Sequence, residues 1–127
     1  MSLRPLVSVV DDDESLRESL PDLLAQFGYE ARAFASAKEF LASGDAELTM
    51  CLILDVAMPE MTGLELKEVL ASRDPRLPII FITAHGDASF RSQLVAHGAI
   101  DCLLKPFSAE ALLQAVHVAM GRLGDGR

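Results

Sequence analysis

Met50-Cys51-Leu52-Ile53-Leu54-Asp55 is apolar for five residues and then abruptly acidic. A strand with no polar alternation must be covered on both faces, which is the condition of a parallel sheet with helices above and below it. Ile79-Ile80-Phe81-Ile82 repeats the pattern, ending at Thr83. Working outward, short runs at Leu6 to Val10, Glu30 to Phe34 and Ile100 to Leu104 complete a set of five expected strands.

Segments of helical period lie between them. Leu16, Leu20, Leu23, Leu24 and Phe27 form one apolar stripe; Leu66, Val69 and Leu70 form another, and Leu112, Val116, Ala119 and Met120 a third. Ser36-Ala37-Lys38-Glu39 and Thr62-Gly63-Leu64-Glu65 each match a capping box, Asp87 and Ser108 are expected N-caps, and Gly28 and Gly98 are expected stops. Pro21 falls inside the first helix and removes the amide that would bond to the carbonyl of Arg17, which predicts a kink or broken turn at a cost of up to ~3 kcal/mol. Alternating strands and helices imply right-handed βαβ crossovers and a doubly wound α/β fold.

At 127 residues the chain fits one domain, with an ordered core expected over about 5–121 and a glycine-rich tail or linker start at 122–127. A formal net charge of −8 argues against binding nucleic acid, which depends on Lys and Arg displacing counterions. The longest apolar run, Met50 to Leu54, is far short of the ~20 residues of a membrane-spanning helix. Met1 to Pro5 lacks the apolar segment of a secretory signal, so the expected location is cytoplasmic. Cys51 and Cys102 lack metal-ligand spacing and read as small buried hydrophobes.

In open α/β sheets ligands bind beyond the carboxyl ends of the strands. Strand one is followed by Asp11-Asp12-Asp13, strand three by Asp55, strand four by Thr83 and strand five by Lys105-Pro106. Carboxylates converging there repel one another unless they hold protons or a cation. Hard oxygens with no His or Cys beside them suit Mg2+. The competing reading is that Asp11 to Glu14 caps the first helix. For Asp13 and Glu14 both readings stand; for Asp12 metal binding is preferred, because capping says nothing about Asp55, Thr83 and Lys105.

These residues resemble the receiver domains of two-component response regulators. The likeness rests on Asp11-Asp12, on Leu54-Asp55-x-x-Met58-Pro59-x-Met61-x-Gly63-x-Glu65-Leu66, on Thr83-Ala84 and on Lys105-Pro106-Phe107, in that order along nearly the whole chain. Thr83-Ala84-His85-Gly86-Asp87 looks like the subgroup that precedes LuxR-type helix-turn-helix output domains. The resemblance implies a flavodoxin-like (βα)5 sheet of strand order 2-1-3-4-5 that takes a phosphoryl group from a sensor histidine kinase or phosphotransfer protein. Asp55 would be the phosphoacceptor. Asp12, the Asp55 side chain and the backbone carbonyl of Ala57 would hold Mg2+, with Asp11 helping directly or through water. Lys105 would pair with Asp55 and later with a phosphoryl oxygen, the Lys105-Pro106 bond would be cis, and Thr83 would donate its hydroxyl. The module would be a signalling phosphoacceptor rather than an enzyme, catalysing only its own phosphorylation and dephosphorylation; in the family the shift is relayed to the face of helix four, strand five and helix five, and a homodimer through that face is an expectation for this chain.

Met58, Pro59 and Gly63 read as scaffold around Asp55. His85 either tunes water access or is an exposed loop histidine. Two positions depart from the family: Cys102 stands where an aromatic switch is usual, and Ala57 where a longer polar side chain is common. A haloacid-dehalogenase-like phosphatase would need a second Asp at position 57, and an FMN carrier would need a glycine- and hydroxyl-rich loop where Asp11-Asp12-Asp13 stands. A receiver acting only through protein contact, without phosphorylation, is the remaining alternative.

Overall fold

The computed structural model describes residues 4–58, 60–73, 76–84, 88–96 and 98–125. Its strands are β1 (Leu6–Val10), β2 (Glu30–Phe34), β3 (Cys51–Asp55), β4 (Ile79–Thr83) and β5 (Asp101–Leu104); its helices are α1 (Glu14–Gln26), α2 (Ala37–Ser43), α3 (Gly63–Ala71), α4 (Ala88–Ala96) and α5 (Ala109–Asp125). All neighbouring strands pair in parallel, in the order β2-β1-β3-β4-β5. Each strand lies within one residue of its expected bounds, and Asp55 and Thr83 are the last residues of their strands rather than the first of the loops.

Side chains alternate across a strand, so each buried strand feeds two cores. Leu52, Leu54, Phe81 and Cys102 join Phe34, Phe40, Leu66, Leu70 and Leu94 on one face. Val7, Val9, Cys51, Ile53, Ile80, Ile82 and Leu103 join Leu20, Leu24, Leu112, Val116 and Ala119 on the other. Cys51 is fully buried, and burial pushes its thiol up to about 12. One polar pair crosses the sheet between β1 and the approach to β3: the Ser8 and Thr49 hydroxyls lie 2.6 Å apart, and Thr49 donates onward to the Asp45 carbonyl at 2.7 Å.

Caps explain where the helices begin. Thr62 and Glu65 form the full reciprocal box, Ser36 accepts from the Glu39 amide, and the Ser108 hydroxyl accepts from the Ala111 amide. Gly28 and Gly98 adopt positive φ of 93° and 101° and close α1 and α4 in the same way. Tyr29 N–H donates to Leu24 C=O and Ala99 N–H to Leu94 C=O, the long bond of a Schellman turn.

Two expectations change. Pro21 breaks no turn: α1 runs unbroken from Glu14 to Gln26, held on its inner side by buried Leu20 and Leu24. Phe27 leaves the stripe, because the helix closes one residue earlier and its ring stands 57% exposed. The last helix, α5, spans Ala109–Asp125. Pro59, His85 and Asp87 lie outside the described residues.

Candidate functional site

Strand register brings the functional side chains to one rim. Val10 stands opposite Leu54, Asp55 opposite Ile82, and Thr83 opposite Leu104, so the carboxyl ends of four strands are level. Backbone bonds continue past the strands: Asp11 N–H donates to Phe34 C=O at 3.1 Å, Val56 N–H to Ile82 C=O at 3.0 Å and Lys105 N–H to Thr83 C=O at 2.7 Å. Gly63 is required beside them, since a Cβ there would collide with the Asp55 carbonyl oxygen.

Carboxylate oxygens of Asp11, Asp12 and Asp55 all lie within 4.8 Å of one another. Asp11 and Asp55 are buried and Asp12 is exposed. Burial, then the charge of Asp11, raise the Asp55 carboxyl to about 7, against the smaller opposing pull of Lys105 and of the Ala57 amide, which donates to Asp55 Oδ1 at 3.3 Å. Asp13 turns away to cap α1, accepting from the Ser15 amide at 2.9 Å, so capping is its observed role.

Lys105 reaches the same cluster, but its closer partner is Asp11. Its Nζ is 2.9 Å from Asp11 Oδ2 and 3.8 Å from Asp55 Oδ2, whereas the sequence reading paired it with Asp55. Burial works against the ammonium, yet the contact with Asp11 and the charges of Asp11, Asp55 and Asp13 outweigh it and hold the pKa above its ordinary value. The buried Asp11 Oδ2 has the Lys105 ammonium as its ion-pair partner and no further polar partner among the described residues. An oxygen in that condition, among three clustered carboxylates, fits a hard cation.

Thr83 is buried at the same rim, and Ala57 and Ala84 are exposed beside it. The Lys105-Pro106 bond is cis, as the resemblance implies. Met58 is buried in the core face that also holds Cys102. The sequence reading passed over Arg17, whose Nη1 donates to the Asp11 carbonyl at 3.1 Å. The only signal for it was a basic residue in the first turns of the helix that follows the acidic pair.

Comparison with known proteins points to one family. The family profile described as "Response regulator receiver domain" matches residues 7–117. Nodulation protein W of Bradyrhizobium diazoefficiens is 44% identical over 121 residues, 95% of this chain and 53% of its own length. Transcriptional regulatory protein TdiR of Thauera aromatica is 44% identical over 117 residues, 90% of this chain and 50% of its own length. The chain thus spans about half the length of these curated relatives. The crystal structure of a response regulator receiver domain protein from Clostridium thermocellum superposes with a TM-score of 0.88 at 25% identity, covering 97% of this chain and 99% of the other.

Proposed function

The chain belongs to the response regulator receiver domain family, and from that footing we propose that Asp55 accepts a phosphoryl group in a Mg2+-dependent reaction. The observation that carries this reading is the meeting of Asp11, Asp12 and Asp55 within 4.8 Å, with the Lys105 ammonium beside them.

Asp12, the Asp55 side chain and the Ala57 backbone carbonyl would hold Mg2+, with Asp11 as a direct or water-bridged ligand. When bound, the ion supplies charge neutralisation between an anionic nucleophile and an anionic phosphoryl donor. An Asp55 oxygen forms the new bond to phosphorus, and the bond to the donor nitrogen or oxygen breaks with its electron pair leaving on the donor. Lys105 exchanges its contacts with Asp11 and Asp55 for a phosphoryl oxygen, and the Thr83 hydroxyl donates to another. Those new partners draw Thr83 and Lys105, at the ends of β4 and β5, toward the phosphate.

The donor is a sensor histidine kinase or phosphotransfer protein, and the outcome is control of an output domain or partner. The names of relatives such as TdiR favour transcription as that outcome. A LuxR-type helix-turn-helix output and a homodimer through α4, β5 and α5 belong to the same proposal. Cys102 is buried and cannot swing outward as a ring does, so the relay runs without the usual aromatic, with Ala84 as a second element of the switch. Ala57, exposed and short, sets the lifetime of the acyl phosphate; Ala57→Asn should change its decay rate, and identical rates would remove the idea.

Intact mass after incubation with Mg2+ and acetyl phosphate tests the central claim. A gain of one phosphoryl group in wild type, absent in Asp55→Ala and absent with EDTA, is expected. A gain that survives Asp55→Ala would place the chemistry elsewhere.

A further inference from the structure

Asp12 is exposed, yet the two peptide planes on either side of it are both tied down. The Asp11–Asp12 peptide is held by its carbonyl oxygen, which accepts from Arg17 Nη1 at 3.1 Å. The Asp12–Asp13 peptide is held by its N–H, which donates to Asp11 Oδ1 at 2.9 Å. Because each peptide unit is planar, restraining both planes restrains φ and ψ of Asp12 and therefore the direction of its Cα–Cβ bond, from which the carboxylate is carried toward Asp11 and Asp55. Asp11 itself is anchored at its amide by the Phe34 carbonyl. Among the described residues, Arg17 is a side chain from α1 that reaches back to hold the loop between β1 and α1. Its backbone N–H bonds to Asp13 C=O at 3.1 Å, so the rigid first turn of the helix supports the guanidinium.

We propose that Arg17 is a positioning residue for the cation site, acting through the Asp11 carbonyl to hold Asp12 in its ligating direction. This deepens the Mg2+ reading above and rests on it. A competing physical effect has the opposite sign: the Arg17 charge repels a divalent cation, so deleting it would tighten binding if positioning contributed nothing. Arg17→Met removes the donor and the charge while keeping an apolar stem. Arg17→Lys keeps the charge and a donor of nearly equal reach.

Mg2+ affinity by isothermal titration calorimetry, with thermal midpoints measured in EDTA on the same samples, separates the cases. Arg17→Met should weaken Mg2+ binding by roughly tenfold, the scale of outer contacts at metal sites, while Arg17→Lys stays within about threefold of wild type. In an Asp12→Asn background Arg17→Met should make no further difference, because the ligand it orients is gone. Unchanged or tighter binding in Arg17→Met overturns the proposal, as does a full additional loss in the Asp12→Asn background. Wild type that binds no Mg2+ at all overturns the metal reading and this inference together, whereas normal wild-type binding with an unaffected Arg17→Met removes this inference alone. Amide shifts of Asp12 and Asp13 in 15N spectra of cation-free Arg17→Met give a second readout, and resonances coincident with wild type would equally sink it.

Discussion

Asp55 holds its proton far more tightly when folded than when the chain is extended. Burial and the charge of Asp11 raise its carboxyl from 3.8 to about 7. Between those values the folded state binds more protons at Asp55 than the unfolded one, so without divalent cations the contribution of Asp55 to stability is fully present below about pH 4 and is lost as pH rises to about 7. Asp55→Asn should flatten that part of the pH profile and raise the thermal midpoint at pH 8 by several degrees, read by circular dichroism in EDTA. At Gly63 the restriction is steric. Gly63→Ala presses a methyl group onto the Asp55 carbonyl and the Val56 Cα, and a loss of about 1–3 kcal/mol in urea denaturation is expected, with slower phosphorylation by acetyl phosphate because Asp55 is displaced. Which carboxylate Lys105 prefers lay beyond the sequence, since the contacts at 2.9 and 3.8 Å are decided by loop geometry and not by residue type.

Among the elements, α1 carries a local conflict between sequence and fold. Pro21 leaves it without an amide at mid-helix, yet Leu20 and Leu24 sit in the core and the helix continues unbroken from Glu14 to Gln26. Tertiary burial overrides propensity here, which is why the sequence predicted a break that the fold does not show. Pro21→Ala should return that hydrogen bond and stabilise the domain by about 1–3 kcal/mol, measured as a shift in urea midpoint at constant m-value. The same helix shows a second limit of periodicity. Phe27 continues the spacing of Leu16, Leu20 and Leu24, but Gly28 ends the helix first, and spacing carries no information about where the ladder closes. Strands were easier to read, because an uninterrupted apolar run followed by a charge has few alternatives to a buried parallel strand with its functional end exposed.

At the scale of the whole molecule, cation, proton and fold are linked. A ligand that binds only the folded state adds stability by mass action, about 2.7 kcal/mol at a hundred times its dissociation constant. Mg2+ should therefore raise the thermal midpoint, and by more at pH 8 than at pH 6, since Asp55 must lose its proton to act as a ligand and that proton leaves near 7. Equal shifts at the two pH values would mean that Asp55 takes no part in binding. The strand order came from the family resemblance, whereas the gathering of Asp11, Asp55, Thr83 and Lys105 at one rim was legible from the chain alone, because each stands where an apolar run stops. Arg17 was not, because a cation on the first turns of an amphipathic helix looks like solvated surface until the loop it touches is seen.

Cys51 is enclosed in the middle strand with a thiol that does not ionise at neutral pH, and Cys102 is buried nearer the edge, in β5. The chain has no tryptophan to report on its folding. The two thiols supply what that leaves out: a sulfhydryl reagent can reach each one only during an opening large enough to release it, so their separate modification times clock the parting of the sheet centre and of its margin, with and without a phosphoryl donor present.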